Sequence, residues 1–263
     1  MPHYVLWEYA IKVFKAVNRL VFVGVVTIMA TSYAHACRIL SSVSPEFPNG
    51  LHAKYLDYIA KEAKCELDIF PMPFARRVAS LRSGEINLMV GIKSLHKEVG
   101  FEFLQPSYET LQSTYFVRAA DFSKYTTKDS FRQANAALTI DNESMLTRAQ
   151  DLFSAIVTVS NLEQKIRLLQ IGRVDTFVHF ESSAQYMIHQ MGLQNELVPA
   201  AIQISQPLEY FVAIHTLSSL YESKDKLEAV IAEGVRKGDF IRLRREHEAI
   251  LEQSTATSIG TSR

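Results

Sequence analysis

A two-lobed α/β protein, each lobe a mixed sheet flanked by helices, is the fold class this sequence predicts, and three observations predict it. The first is an internal repeat. The run LRSGEINLMV from Leu81 reads as the end of an amphipathic helix, a glycine stop and an apolar strand, and LQIGRVDTFV repeats it 88 residues later without a gap. Leu81 falls on Leu169, Gly84 on Gly172, Ile86 on Val174, Asn87 on Asp175 and Val90 on Val178. A glycine in both copies has a physical reason, because a residue at positive φ ends a helix before the chain turns into a strand. The second observation is the alternation of short apolar strands with amphipathic helices around each copy. Size is the third: 263 residues, 48% apolar and 10% aromatic, supply one large core or two modest ones.

In chain order, residues 1–36 predict a secretory leader. Lys12, Lys15 and Arg19 precede the apolar run 20–30, and Ala34 and Ala36 are the small residues of a cleavage site, so cutting after Ala36 is expected. An uncleaved anchor is the rival reading, but the run falls short of the roughly 20 residues a spanning helix needs. Both cysteines, Cys37 and Cys65, lie beyond the cut, and a lone pair in an oxidising compartment invites a disulfide. Each opens a strand, and neighbouring parallel strands bring them together; a lipidated Cys37 is the alternative. The formal charge is zero, and −2 once the leader with its three basic residues and Glu8 is gone. That balance argues against nucleic acid, which needs a basic face. Arg242, Arg244 and Arg245 stand among Glu246 and Glu248 and read as a solvated helix face.

A strand is predicted over 38–42, a helix over 51–64 with Tyr55, Leu56, Ile59 and Ala63 on one face, and a strand over 66–70 closed by Pro71 and Pro73. The first repeat copy follows, then a charged turn and the segment FEFLQPSYETLQSTYFVR. Beyond Arg118, strands are predicted over 136–140, 157–159 and 174–180, and helices over 145–153, 162–171 and 183–191. A strand over 209–214 crosses back, helices over 218–237 and 239–252 complete the first lobe, and the Ser/Thr-rich tail 253–263 is expected to be disordered. Lobe 1 is thus 37–118 with 207–252, and lobe 2 is 119–206.

Leu81, Gly84 and Asn87 before a strand, the charged turn after it, and Phe103, Pro106 and Tyr108 before the crossover resemble the family 3 extracellular solute-binding proteins over about residues 38–248. These are the periplasmic receptors of polar amino acid importers. The resemblance implies a type II periplasmic-binding-protein-like fold, a small polar ligand held between the lobes by hinge closure, delivery to an ABC-type membrane permease, a periplasmic location, a monomer and no enzymatic activity. In that family an arginine after the third strand grips the ligand carboxylate, where this chain has Lys97, with Glu98 beside it. An aspartate after the repeated strand binds the ligand ammonium; here the aligned residue is Phe180, one step before Glu181.

Ligands of open α/β sheets gather beyond the carboxyl ends of the strands. The resemblance makes Lys97 an anion contact; those exits nominate Phe47 to stack on the ligand, Arg76 and Lys93 as alternative anion contacts, Ser94 for its hydroxyl, and Asn142 and Ser144 at a helix start whose N–H groups cradle an anion. They also nominate His179, and Glu181 as the cation contact. Each has a plainer reading: Lys97 as a solvated turn, Ser144 as a helix cap, Glu181 as a surface ion pair, Phe47 as cover for the core. Such a set suits a zwitterion or an amine. His179 and Glu181, two apart, are at most half a metal site, so no metal and no cofactor are expected. There is no G-x-S-x-G, phosphate loop or dinucleotide fingerprint, and no catalytic residue is nominated. A receptor leads. Its rivals are a dehydratase-like enzyme on the same scaffold, with Glu181 or His179 moving a proton, and a sensing module for a separate membrane signalling protein.

Overall fold

The computed structural model describes residues 37–93, 99–139, 151–203 and 206–260, of which 251–260 are described as backbone. The leader with its cleavage site, the turn holding Lys97, and the expected helix start at Asn142 and Ser144 lie outside the described residues.

The chain opens with a β-α-β unit. β1 (Arg38–Val43) and β2 (Glu66–Pro71) pair in parallel, joined by α1 (Leu51–Ala63). Register sets Arg38 opposite Glu66, so the cysteines preceding each strand stand side by side with Cα atoms 4.6 Å apart and form the Cys37–Cys65 disulfide. α2 (Phe74–Ser83) follows and ends at Gly84, whose φ of 79° is the left-handed conformation expected of it. β3 (Leu88–Lys93) and β4 (Phe101–Leu111) come next.

The second lobe is one five-stranded sheet made of β5 (Thr114–Arg118), β6 (Asn135–Thr139), β7 (Ala155–Val159), β8 (Thr176–His179) and β9 (Leu197–Pro199), in the order β7-β6-β8-β5-β9. Its helices are α3 (Leu162–Gln170) and α4 (Glu181–Gln190), and two 3₁₀ turns span Ala119–Lys124 and Asp129–Gln133. The sequence reading put Thr114–Arg118 in lobe 1; β5 instead pairs antiparallel with β8 and β9 and buries Tyr115, Phe116 and Val117. The chain therefore crosses at Gln112 and Ser113, two residues between strands that follow each other directly in the sequence.

β10 (Leu208–His215) returns to lie between β3 and β4, antiparallel to both, and α5 (Lys224–Lys237) and α6 (Asp239–Gly260) close the first lobe. α6 continues through residues 253–260, where a disordered tail was expected. Extending a formed helix adds one hydrogen bond per residue, and Ser and Thr give up only a few tenths of a kcal/mol each there.

The repeat in the sequence is a repeat of structure. Leu81, Ile86, Leu169 and Val174 are all fully buried. Asn87 accepts the Leu40 N–H on Oδ1 at 2.8 Å and donates to the Arg38 carbonyl at 3.0 Å. Asp175 likewise accepts the Asn135 N–H on Oδ2 at 2.9 Å and the Arg118 guanidinium on Oδ1 at 3.3 Å. In each lobe a polar residue three places after the glycine thus satisfies the backbone where the adjoining strand begins, which explains why both copies keep an amide or carboxylate there.

Candidate functional site

The carboxyl ends of the strands meet across a cavity of about 270 Å³ between the lobes. One wall is the loop after β1. Phe47 N–H donates to the Ser44 carbonyl at 3.1 Å and Gly50 N–H to the Phe47 carbonyl at 3.0 Å, a tight turn that pushes Glu46 and Phe47 outward. Glu46 reaches the other lobe, accepting the N–H groups of Leu162 at 3.2 Å and Glu163 at 3.0 Å. These are the first two residues of α3, where unpaired N–H groups and the helix dipole favour an anion. Phe47 lies 6.3 Å from the Tyr186 ring on α4, so the same loop touches the second lobe twice.

The floor is built from α1, α2 and β3. Arg77 shares the buried face of α2 with Ser80 and Leu81 and is 2% exposed. Its Nε donates to Ser42 Oγ at 3.3 Å and its Nη2 to the Val90 carbonyl at 3.1 Å, and burial pulls its pKa down to about 10. Gly91 has φ +81°, and a Cβ there would stand 2.3 Å from His52 Cε1. Glycine is required twice over, by the backbone and by the imidazole against it. The Gly91 N–H donates to Tyr108 Oη at 3.0 Å, which ties β3 to β4 at this point.

Aromatic rings, Lys93 and an arginine paired with a glutamate also line the cavity. Phe180 stands edge-on to Tyr210 at 5.5 Å, and Lys93 Nζ lies 5.8 Å from the Tyr210 centroid. Arg244 forms a fork with Glu109, Nε to Oε2 and Nη2 to Oε1, both at 2.8 Å. Ser160 and Asn161 line the cavity from lobe 2, and Asn161 caps α3 by accepting the Gln164 N–H at 2.9 Å.

Three histidines line this space, and all are held toward their neutral forms. Burial, with smaller pushes from Arg77, Arg244 and His247, lowers His52 to about 3. Burial followed by Lys165 and Lys93 lowers His179, and burial, Lys54 and Arg244 lower His247. A depressed histidine contributes stability that is complete above its unfolded pKa near 6.5 and declines as pH falls toward the folded value. Unfolding free energy is therefore expected to be flat above pH 7 and to fall below about pH 6.5 by as much as about 1.4 kcal/mol per pH unit for each of the buried His52 and His179, and by less for the half-exposed His247, whose charge water screens. Urea unfolding from pH 8 to 5 checks this, and His52→Gln should remove one group's share of the slope; an unchanged slope would place the lost stability elsewhere.

Of the residues nominated from sequence, Phe47, Lys93 and His179 come together in the lining. Arg76 does not line the cavity; its exposed side chain stands 3.8 Å from Glu85. Glu181 opens α4, also outside the lining, where it accepts Thr114 Oγ1 at 3.2 Å and Gln185 Nε2 at 3.1 Å. Ser94, Lys97, Asn142 and Ser144 lie outside the described residues. Sequence reasoning chose Arg76 and passed over Arg77 beside it. The signal was helical phase, since Arg77 stands four residues before the buried Leu81 and Arg76 does not. Arg244 was read as a solvated face, whereas its partner is a buried glutamate on β4.

No protein-family profile matches the chain, and neither does any curated protein. Solved structures do. An amino acid ABC transporter substrate-binding protein from Streptococcus pneumoniae, bound to L-arginine, superposes with a TM-score of 0.68 at 21% identity, covering 82% of this chain and 96% of that one. The ligand-binding core of GluR0 with L-glutamate gives 0.67 at 15% identity, covering 82% and 99%. A histidine kinase sensor domain with similarity to periplasmic binding proteins gives 0.66 at 19% identity, covering 80% and 95%. The chain thus has the two-lobed periplasmic-binding-protein-like fold, with sheets flanked by helices and a cavity between the lobes.

Proposed function

We propose that this is an exported solute-binding receptor that captures a small polar ligand by hinge closure and hands it to an ABC-type membrane importer. The observation that carries this reading is a cavity walled by both lobes and shut by a loop of one lobe on a helix terminus of the other, Glu46 on α3. Such a contact exists only while the lobes are together, which is how hinge closure hides a ligand from water. A cavity of about 270 Å³ suits a molecule the size of the amino acids held by the neighbours of this fold. Phe47, Arg77, Lys93, His179, Phe180 and Tyr210 form the ligand set in this proposal, with Ser94, Lys97, Asn142 and Ser144 completing it. A leader cleaved after Ala36, a periplasmic location and a monomer belong to the same reading. A sensing module is the second reading, favoured by the likeness to a histidine kinase sensor domain; under it the closed lobes would report to a membrane signalling protein.

Thermal unfolding of the exported protein against amino acids, amines, small carboxylates and oligopeptides tests the receptor. A ligand at a hundred times its dissociation constant adds about 2.7 kcal/mol, a rise of roughly 5–10 °C at this size. Recovery of the ligand unchanged is expected; its conversion to product would replace the receptor with the enzyme, and binding without any importer dependence in uptake would favour the sensor.

A further inference from the structure

We infer that α6 is a further link between the lobes, beside the two crossing segments, and that Glu248 on it is a positioning residue holding α4, and with it lobe 2, in the closed arrangement. This rests on the receptor reading, since it assigns part of the hinge closure on which that reading depends. The starting observation is a helix rooted in one lobe that touches the other. α6 runs for 22 residues, about 33 Å, and its first turns belong to lobe 1. Phe240 is 1% exposed and stands edge-on to Tyr55 and to Tyr58, at 5.3 Å from each. Tyr58 Oη donates to Asp239 Oδ2 at 3.1 Å, and the Arg244 fork fastens the next turn to Glu109 on β4.

One turn further the same helix meets lobe 2. Glu248 Oε1 accepts Arg244 Nη1 and Ser182 Oγ, both at 3.4 Å, so contacts run from Glu109 through Arg244 and Glu248 to the second residue of α4. α6 packs on α4, and His247 of the one and Ser182 of the other both line the cavity. The start of α4 is in turn tied to both crossings. Glu181 accepts Thr114 Oγ1 at 3.2 Å, and Thr114 opens β5 directly after the first crossing. Gln203 Nε2, on the return path between β9 and β10, donates to the same hydroxyl at 3.3 Å. In hinge closure a few residues of the crossing segments absorb the change while packed elements move as bodies. The Glu248–Ser182 contact joins two helices packed in different lobes, so it breaks or slides when the lobes part. A contact made in one arrangement and lost in the other favours the first by its own free energy. Glu46 does this at the start of α3, and Glu248 does it at the start of α4.

Pulsed electron–electron resonance between spin labels at Lys61→Cys on α1 and Gln170→Cys at the end of α3, both exposed positions, measures the ratio of closed to open protein without any ligand. Ser182→Ala and Glu248→Ala are each expected to lower that ratio about 5-fold, the share of one hydrogen bond to a half-solvated charge. Glu46→Ala, which removes two such bonds, is the reference for opening and is expected to lower it about 30-fold. The unfolding midpoints of Ser182→Ala and Glu248→Ala should stay within about 2 °C of the parent, as expected of a contact that positions the lobes and carries little of the core. A ratio unmoved in either of these two variants, or a parent protein already fully open, would overturn the inference whatever Glu46→Ala does. Opening that comes with a midpoint loss above about 5 °C in both variants would overturn it too, because Glu248 would then be a folding residue. The ligand panel is read separately: binding found with the distances unmoved would leave the receptor and remove the link, and distances that respond with no ligand found would do the reverse.

Discussion

Arg244→Leu is expected to destabilise the protein by about 3–5 kcal/mol, because it strips a buried carboxylate of its counter-ion. The side chain of Glu109 is 7% exposed and that of Arg244 20%, and the fork between them fastens α6 to β4 at the edge of the cavity. Tyr55 Oη donates to the same carboxylate at 3.0 Å, but one phenol cannot offset an interior charge. Burial already pushes the Glu109 pKa up against the pull of Arg244. Without the arginine the carboxyl is expected to keep its proton to higher pH. A group whose folded pKa is raised loses its stability as pH rises, so the penalty should be larger at pH 8 than at pH 5. Glu109→Gln combined with Arg244→Leu should recover most of the loss, since a neutral pair of similar volume leaves no charge behind. Urea unfolding of the two single variants and the double measures this as a coupling energy. A loss below about 1 kcal/mol for Arg244→Leu would mean the pair behaves as a solvated surface bridge.

The two lobes were legible because their signals are local. A helix, a glycine at positive φ, a buried β-branched residue and a polar residue on the next strand's backbone occupy ten consecutive positions, and the chain states them twice. The site was less legible because its decisive contacts join positions far apart. Glu46 caps a helix 116 residues on, and Arg244 pairs with a glutamate 135 residues back. Local composition made the first a loop residue and the second part of a charged surface. Nothing near Gly91 in sequence announces that His52 fills the space its Cβ would take. Arg76 and Arg77 differ in no chemical property; only the helical phase against Leu81 separates the exposed one from the buried one. Chemistry at strand exits could therefore be nominated from sequence, but which of two adjacent cations enters the cleft was decided by packing.

Opening the Cys37–Cys65 bridge, by reductant or by Cys37→Ser with Cys65→Ser, is expected to lower stability by about 3–4 kcal/mol and the unfolding midpoint by roughly 6–16 °C. The bridge closes a loop with a sequence separation of 28, which contains all of α1, so its removal returns a large conformational freedom to the unfolded chain. It sits at the amino ends of β1 and β2, whereas the cavity is lined from Ser44, beyond the carboxyl end of β1. The parallel register holds the strands together between those ends, from Arg38 opposite Glu66 to Val43 opposite Pro71. Stability and binding should consequently separate: a ligand found by thermal shift should bind the reduced protein within about 2-fold of the oxidised one at 25 °C, where the fold persists on the few kcal/mol that remain. Differential scanning calorimetry with and without reductant measures the first quantity and titration calorimetry the second. A midpoint unmoved by reductant would overturn the pairing and bring back the lipidated Cys37, whose acyl chain mass spectrometry would find. An affinity that collapses with the bridge would show that the amino end of β1 governs the cleft through the strand, and the separation argued from register would be wrong.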